Sequence, residues 1–264
     1  MPELPEVETI VRYLRPRLRG KRILGFETKT ARLFRDHKNP DEVRKAVLGR
    51  KITDLERVGK NIVFKLSDGN YFLLHLMMTG KLLWNPTGER KHDRLVLKLS
   101  ENNKLVFNDV RQFGRCRIIS PEKLLLGQDP LAIKFREFKN LLSGHRGALK
   151  NLLLNQKILA GIGNIYADEI LWYAGVRPTR SGSTLTDAEL SKLHGAIKKV
   201  LVLAIKKGGT SSRDYLKPDG SKGEYYEVRR AYQRQREKCA RDGAIIKRIK
   251  IGGRSSHFCP LHQK

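Results

Sequence analysis

The first apolar positions of the chain, Val7, Ile10, Val11 and Leu14, recur at three and four residues, which predicts a short helix over residues 5–15 limited by Pro16. From residue 22 to about 120 the texture changes to short apolar and β-branched runs between turn signals. The runs 64–72 and 97–107 reverse at Asp68-Gly69 and Asn102-Asn103, so both read as hairpins of an all-β layer. Beyond Pro121 the period becomes helical again. Leu142, Leu149, Leu152 and Leu153 predict one amphipathic helix. Ile165, Ile170, Leu171 and Tyr173 predict a second, capped by Asn164 and ended by Gly175 and Pro178. A third is expected over 187–206. Residues 208–223, rich in Gly, Ser, Lys and Asp and without a period, read as a mobile loop. Two short strands, 245–251 and 255–258, meet at Gly252-Gly253. No internal repeat is visible.

Composition narrows the function. The 264 residues carry 54 Lys plus Arg against 27 Asp plus Glu, a formal net charge of +27. Such a surplus calls for a polyanionic partner, nucleic acid before anionic membrane. The most apolar stretch, 71–78, is eight residues long and contains His75. A bilayer span needs roughly 20 residues, so a membrane role is not expected. Glu3, Glu6 and Glu8 stand where a signal peptide would need an apolar run. Three cysteines, an odd and small number, make no disulfide framework and point to a reduced, cytoplasmic protein. Cys116, in a predicted strand, is expected to be structural.

Five ordered blocks carry a resemblance. They are Met1-Pro2-Glu3-Leu4-Pro5-Glu6-Val7-Glu8-Thr9, His75-Leu76-Met77-Met78-Thr79-Gly80, Asn108-Asp109-Val110-Arg111-Gln112-Phe113-Gly114, Gly161-Ile162-Gly163-Asn164-Ile165-Tyr166-Ala167 and Gly252-Gly253-Arg254-Ser255-Ser256-His257-Phe258-Cys259. Spanning positions 1 to 259, they resemble the formamidopyrimidine-DNA glycosylase family of bifunctional base-excision repair enzymes. The resemblance implies an α+β fold: an N-terminal helix and β-sandwich domain, then a C-terminal helical domain with a helix-two-turn-helix and a β-hairpin zinc-finger-like element. Its expected divisions are 1–130, 131–228 and 229–264, with DNA crossing the cleft between the two main domains. The implied partner is double-stranded DNA containing oxidised bases or abasic sites, met by a monomer associated with the nucleoid.

Residue chemistry agrees with the resemblance. A small Pro2 permits removal of Met1, exposing a secondary amine that titrates far below a lysine and can attack a sugar C1′. Glu3 is suited to proton transfer beside it, with its other reading a carboxylate favoured by the helix N-terminus. Glu6, one turn on, supports the site. Lys60, in Arg57-Val58-Gly59-Lys60-Asn61, matches the family lysine that reaches from a hairpin toward the lesion, against a solvated strand lysine. Met78, Arg111 and Phe113 match the side chains that fill the gap left by a flipped nucleotide, where apolar wedges offset part of the unstacking cost. Asn164 and, more weakly, Lys150 are candidates for phosphate contact at a positive helix end. Arg254 matches the arginine that grips phosphates flanking the lesion, bidentate geometry suiting guanidinium. Tyr225 and Tyr226, in the loop 213–228 that closes over the extruded base in the family, are placed near the lesion.

The chain departs from the family at its finger. Four cysteines in the pattern Cys-x2-Cys-x16-Cys-x2-Cys become Cys239, Asp242, Cys259 and His262 at the same spacing. All three residue types bind zinc in tetrahedral sites, so one structural zinc is expected, with weakened affinity. The competing reading is a metal-free hairpin held by Ile245, Ile249, Ile251 and Phe258. Activity is expected as DNA-formamidopyrimidine glycosylase and abasic-site lyase, removing 8-oxoguanine and formamidopyrimidines through a Pro2 Schiff base with β,δ-elimination. Two rivals remain open: an endonuclease VIII-like enzyme for oxidised pyrimidines, which Leu4 and the Met78, Arg111, Phe113 set disfavour, and a non-catalytic DNA-binding relative.

Overall fold

A computed structural model describes all of residues 1–264. The chain forms two compact units, one of Met1–Leu125 together with Lys207–Tyr226, the other of Leu126–Lys206 together with Glu227–Lys264.

The first unit opens with helix α1, Leu4–Leu18, longer than its apolar spacing predicts because Pro16 is accommodated inside it. Its buried stripe, Val7, Ile10, Val11, Leu14 and Leu18, joins one core with side chains from two sheets. The strands are β1 (Ile23–Thr28), β2 (Ile52–Val58), β3 (Asn61–Leu66), β4 (Tyr71–His75), β5 (Lys81–Trp84), β6 (Asp93–Leu99), β7 (Asn103–Asn108) and β8 (Arg115–Ile119), with helix α2 (Pro40–Val47) between β1 and β2. They make two four-stranded antiparallel sheets, ordered β1-β6-β7-β5 and β2-β3-β4-β8. Both expected hairpins are present, as β3–β4 and β6–β7. Phe64 pairs with Phe72 across β3 and β4, ring centroids 5.4 Å apart, which fixes that register inside the core. Cys116 is buried, and burial pushes its thiol far up, consistent with a structural residue.

Residues 207–226 follow the helical region in sequence yet belong to this first unit. Trp84 N–H donates to the Pro218 carbonyl, Thr210 N–H to the Glu6 carboxylate, and the Tyr215 ring lies in the core. The predicted loop is therefore irregular in backbone but fixed by partners distant in sequence.

The second unit carries α3 (Phe135–Ser143), α4 (Leu149–Leu154), α5 (Asn164–Ala174) and α6 (Asp187–Lys206), then the hairpin of β9 (Lys247–Ile251) and β10 (Arg254–Phe258). The single helix expected through Leu142 and Leu149 is two, α3 and α4. Gly144, with Gly147 shortly after, breaks it, and the Ser181 hydroxyl holds the reversal at the His145 carbonyl. Gly163 occupies the N-cap of α5 and Asn164 is its first helical residue, so the expected Asn164 cap shifts by one. Gly175, at φ 72°, ends the helix in the left-handed conformation that glycine adopts without Cβ strain.

Candidate functional site

In the first unit the candidate chemistry gathers at the head of α1. Pro2 and Glu3 are buried there, Glu3 3% exposed at the N-cap. The Glu6 carboxylate fixes them: one oxygen accepts the Glu3 N–H at 2.7 Å, the other the Thr210 N–H at 2.7 Å. Gly209 is required beside it, since a Cβ would stand 2.8 Å from a Glu6 oxygen at a φ of +84°. Lys60 sits in the turn between β2 and β3, 8% exposed. That turn is tied to α1 by Arg57, whose Nε donates to Glu8 at 2.8 Å. Although burial acts against it, bonds from Arg12 and Arg57 hold the Glu8 carboxyl below its usual value.

Next to Lys60 lies His75, on a cavity of about 320 Å³ shared with Asn61, Met77, Arg115 and Arg117. Burial, reinforced by the charges of Lys60, Arg115 and Arg117, lowers its imidazole from 6.5 to about 4. The ring is thus neutral at pH 7, with Nδ1 accepting the Met77 N–H at 3.0 Å and Nε2 left as the donor. Sequence reasoning gave His75 no role, because its titration depends on strands that meet only in the sheet.

Met78, Arg111 and Phe113 are brought together. Arg111 Nη1 lies 3.5 Å from Met78 Sδ, and its guanidinium stands 4.4 Å from the Phe113 ring centroid. Met78 and Phe113 are 43% and 38% exposed, not core as strand residues of these types usually are. The loop presenting them is rigidly held. The Asp109 carboxylate accepts the Thr79 hydroxyl and, at 2.8 Å, the Gly114 N–H. Arg35 donates to the Gln112, Phe113 and Gly114 carbonyls at 3.3, 2.9 and 2.8 Å.

The second unit holds the remaining candidates. Gly161, Ile162 and Gly163 lead into α5, and the Gln156 side chain braces this turn by donating to Leu154 and Ile162 carbonyls and accepting the Gly161 N–H at 2.9 Å. The Asn164 Oδ1 is buried with no hydrogen-bond partner, an oxygen that an added donor would satisfy. Lys150 is wholly buried; its ammonium is paired with Asp168 and donates to the Asn164 carbonyl at 3.3 Å. It therefore braces the turn from inside rather than presenting its charge to solvent. Asp168 also accepts Ser256 Oγ at 3.0 Å and contacts His257 Nδ1 at 2.8 Å, linking α4 and α5 to β10. Arg254 opens β10 exposed, after Gly252 and Gly253 at φ 54° and 75°. A Cβ on Gly252 would collide with the Asn151 side chain of α4, so only glycine lets this turn seat there. Glu169 fastens the entry to the finger, accepting N–H bonds from Arg230, Ala231 and Tyr232, each at 2.8 Å.

Cys239, Asp242, Cys259 and His262 converge, their ligand atoms all within 4.8 Å of one another. A tetrahedral ion with bonds of about 2.0–2.3 Å separates its ligands by roughly 3.3–3.8 Å, so small adjustments close the set. The surroundings suit a metal. His262 Nε2 faces the Trp172 carbonyl at 3.2 Å and Nδ1 faces the Asp242 carboxylate at 2.9 Å, so a proton on Nε2 would turn the Nδ1 lone pair to the centre. Cys239 Sγ accepts from Trp172 Nε1 at 3.4 Å and from the Arg241 N–H at 3.5 Å, contacts that hold the sulfur in place.

A β-sandwich whose first helix carries Pro2 and Glu3 at its head, joined in one chain to a helix-two-turn-helix and a hairpin finger, defines a DNA glycosylase of the helix-two-turn-helix class. Family models place the N-terminal domain of formamidopyrimidine-DNA glycosylase on residues 1–116 and its H2TH domain on 126–215. Formamidopyrimidine-DNA glycosylases of Solibacter usitatus and Carboxydothermus hydrogenoformans are 42% and 40% identical over the full length of both chains. A Lactococcus lactis Fpg mutant in complex with Fapy-dG DNA matches at TM-score 0.91 and 34% identity, covering 100% of each chain. The same organism's Fpg with abasic-site DNA matches at 0.90 and 34%, covering 99% of each. The chain belongs to the formamidopyrimidine-DNA glycosylase family, and it is an enzyme of base excision repair. No helix is long and apolar enough to cross a membrane.

Proposed function

We propose that the protein releases oxidised purines, 8-oxoguanine and formamidopyrimidines, from duplex DNA and then cuts the strand through a covalent intermediate on Pro2. The observation that carries this is the buried Pro2-Glu3 pair, held at the head of α1 by the Glu6 carboxylate. With Met1 removed, the proline nitrogen attacks C1′ of the lesion nucleotide and the C1′–base bond breaks, the base leaving with a proton. Glu3 takes up the proton released by the attacking nitrogen, the departing base drawing its own from water, and returns it to O4′ as the C1′–O4′ bond opens, leaving an iminium. Loss of a C2′ proton expels the 3′ phosphate, a second elimination expels the 5′ phosphate, and water releases the sugar fragment from Pro2.

Lys60 and the neutral His75 donor supply charge and a hydrogen bond for a phosphate beside the lesion; Asn164 and Arg254 serve phosphates from the second unit. Met78, Arg111 and Phe113 enter the gap left by the extruded nucleotide. Tyr225 and Tyr226 border the loop that meets the base. The Cys239, Asp242, Cys259, His262 group holds one zinc ion, which cross-links the two ends of the finger and takes no part in bond making. A monomer working in a reduced, DNA-containing compartment fits these assignments.

Borohydride trapping on a duplex with one 8-oxoguanine tests the mechanism. The expected result is a stoichiometric adduct at Pro2 of the Met1-free chain, lost when the terminal nitrogen is blocked by acetylation. An adduct elsewhere overturns the nucleophile, and a preference for oxidised pyrimidines overturns the substrate. Absence of any adduct or cleavage supports the non-catalytic reading instead.

A further inference from the structure

At the far end of α5 from Asn164, a cavity of about 480 Å³ opens between α5, α6 and the finger. Its ring wall is Trp172 and Tyr173; its charges are Lys192 and Lys199 from α6 and Arg230 and Arg241 from the finger, and its lining holds no carboxylate. The acids beside these elements are committed elsewhere: Glu169 to the N–H groups of Arg230, Ala231 and Tyr232, Glu189 to Arg180, Asp187 to Lys139, Glu237 to Arg234 and Asp242 to His262. Two of the cations rest on ring faces, Arg241 at 4.7 Å from the Trp172 centroid and Lys199 at 5.0 Å from that of Tyr173. Four like charges around one concavity repel one another unless an anion enters, and Ala196 and Ala240 leave its floor open.

We propose that this cavity is a second anion site, which takes an oligophosphate group. Lys192 and Lys199 stand seven residues apart on one face of α6, about 10 Å along the axis, a spacing that a chain of phosphates matches better than a single phosphate does. Arg230 and Arg241, with forked donors, close on the same group from the finger side. Trp172 and Asn164 are eight residues apart on α5, about 12 Å, which separates this site from the phosphate contacts at the helix start. Trp172 also donates to Cys239 and accepts from His262, so an occupant of the cavity touches the wall of the four-ligand group.

The test uses the full chain saturated with an abasic-site duplex and titrated with inorganic tripolyphosphate, followed by calorimetry and Trp172 fluorescence. Saturable binding of one tripolyphosphate per chain is expected, weakened at least tenfold in Lys192→Glu/Lys199→Glu, with single-turnover excision unchanged. Lys45→Glu/Lys91→Glu, which removes the same charge from the exposed surface of the other unit, is expected to weaken it less than twofold. Parallel titration with ATP separates the sources: tighter binding than tripolyphosphate assigns a nucleoside triphosphate, equal binding a bare polyphosphate. No saturable binding, equal loss in the two double variants, or displacement by the duplex overturns the proposal.

Discussion

Glu6 and Thr210, 204 residues apart in sequence, are joined by a buried hydrogen bond of 2.7 Å from the Thr210 N–H to the Glu6 carboxylate. Its other oxygen holds the Glu3 N–H, so one side chain couples the Pro2-Glu3 segment to the loop 207–226. In Glu6→Gln only one carbonyl oxygen remains, and one buried N–H loses its acceptor at a cost of about 1–3 kcal/mol. Thermal denaturation is expected to show that loss, and borohydride trapping to fall more than DNA binding does. Gly209→Ala, strained in φ and crowded against the same carboxylate, is expected to lose more than Glu6→Gln.

The Met78, Arg111, Phe113 group predicts a split between substrates. Met78 and Phe113 are exposed, so truncation to alanine shifts stability by only about 0.5 kcal/mol in urea unfolding. Excision of a base-paired 8-oxoguanine is expected to slow roughly tenfold, because unstacking loses its compensation. Cleavage at an abasic site in single-stranded DNA, where no base pair must be opened, is expected to change little.

His75 gives a pH dependence whose sign follows from its lowered value. The unfolded imidazole takes up a proton near pH 6.5, the folded one only near 4. The contribution is therefore complete above about pH 6.5 and is lost as pH falls toward 4, by up to about 3 kcal/mol. Proton NMR should place the midpoint near 4. Between pH 7 and 4.5, wild type should lose more stability in urea than His75→Asn; equal losses would contradict the assignment.

Asp168 predicts coupling between the α4–α5 turn and the finger. Asp168→Asn leaves the buried Lys150 ammonium without a countercharge, a loss of about 3–5 kcal/mol. Hydrogen exchange is expected to rise both at Gly161 and across β10, whereas β3 and β4 in the other unit stay protected.

Metal removal tests the four-ligand group. Chelation is expected to lower the melting temperature and to raise exchange at residues 239–262 before any other segment. Asp242→Cys, which replaces a carboxylate oxygen by the thiolate sulfur zinc favours, should tighten zinc binding, measured by competition with a chromophoric chelator. Purified chain with under about 0.2 zinc after metal-replete expression would argue against the site.

Periodicity, turn residues and spacing made much of this protein legible. The helical stripe of α1, the Asp68-Gly69 and Asn102-Asn103 reversals and α6 all follow from local chemistry, because the period of side-chain burial reflects backbone geometry. The nucleophile candidate and the ligand spacing of the finger came instead from the family resemblance, since both lie within its short, ordered motifs. The tertiary structure decided what depends on distant partners. It broke the helix expected through Leu142 and Leu149, moved the α5 cap to Gly163, and gave the loop 207–226 to the first unit. Burial withdrew Lys150 from solvent and paired it with Asp168, and burial reinforced by the charges of Lys60, Arg115 and Arg117 made His75 a neutral donor. Sequence order fixes which groups a chain possesses, while hydrogen-bond satisfaction and the desolvation of charge are settled only where separate segments meet.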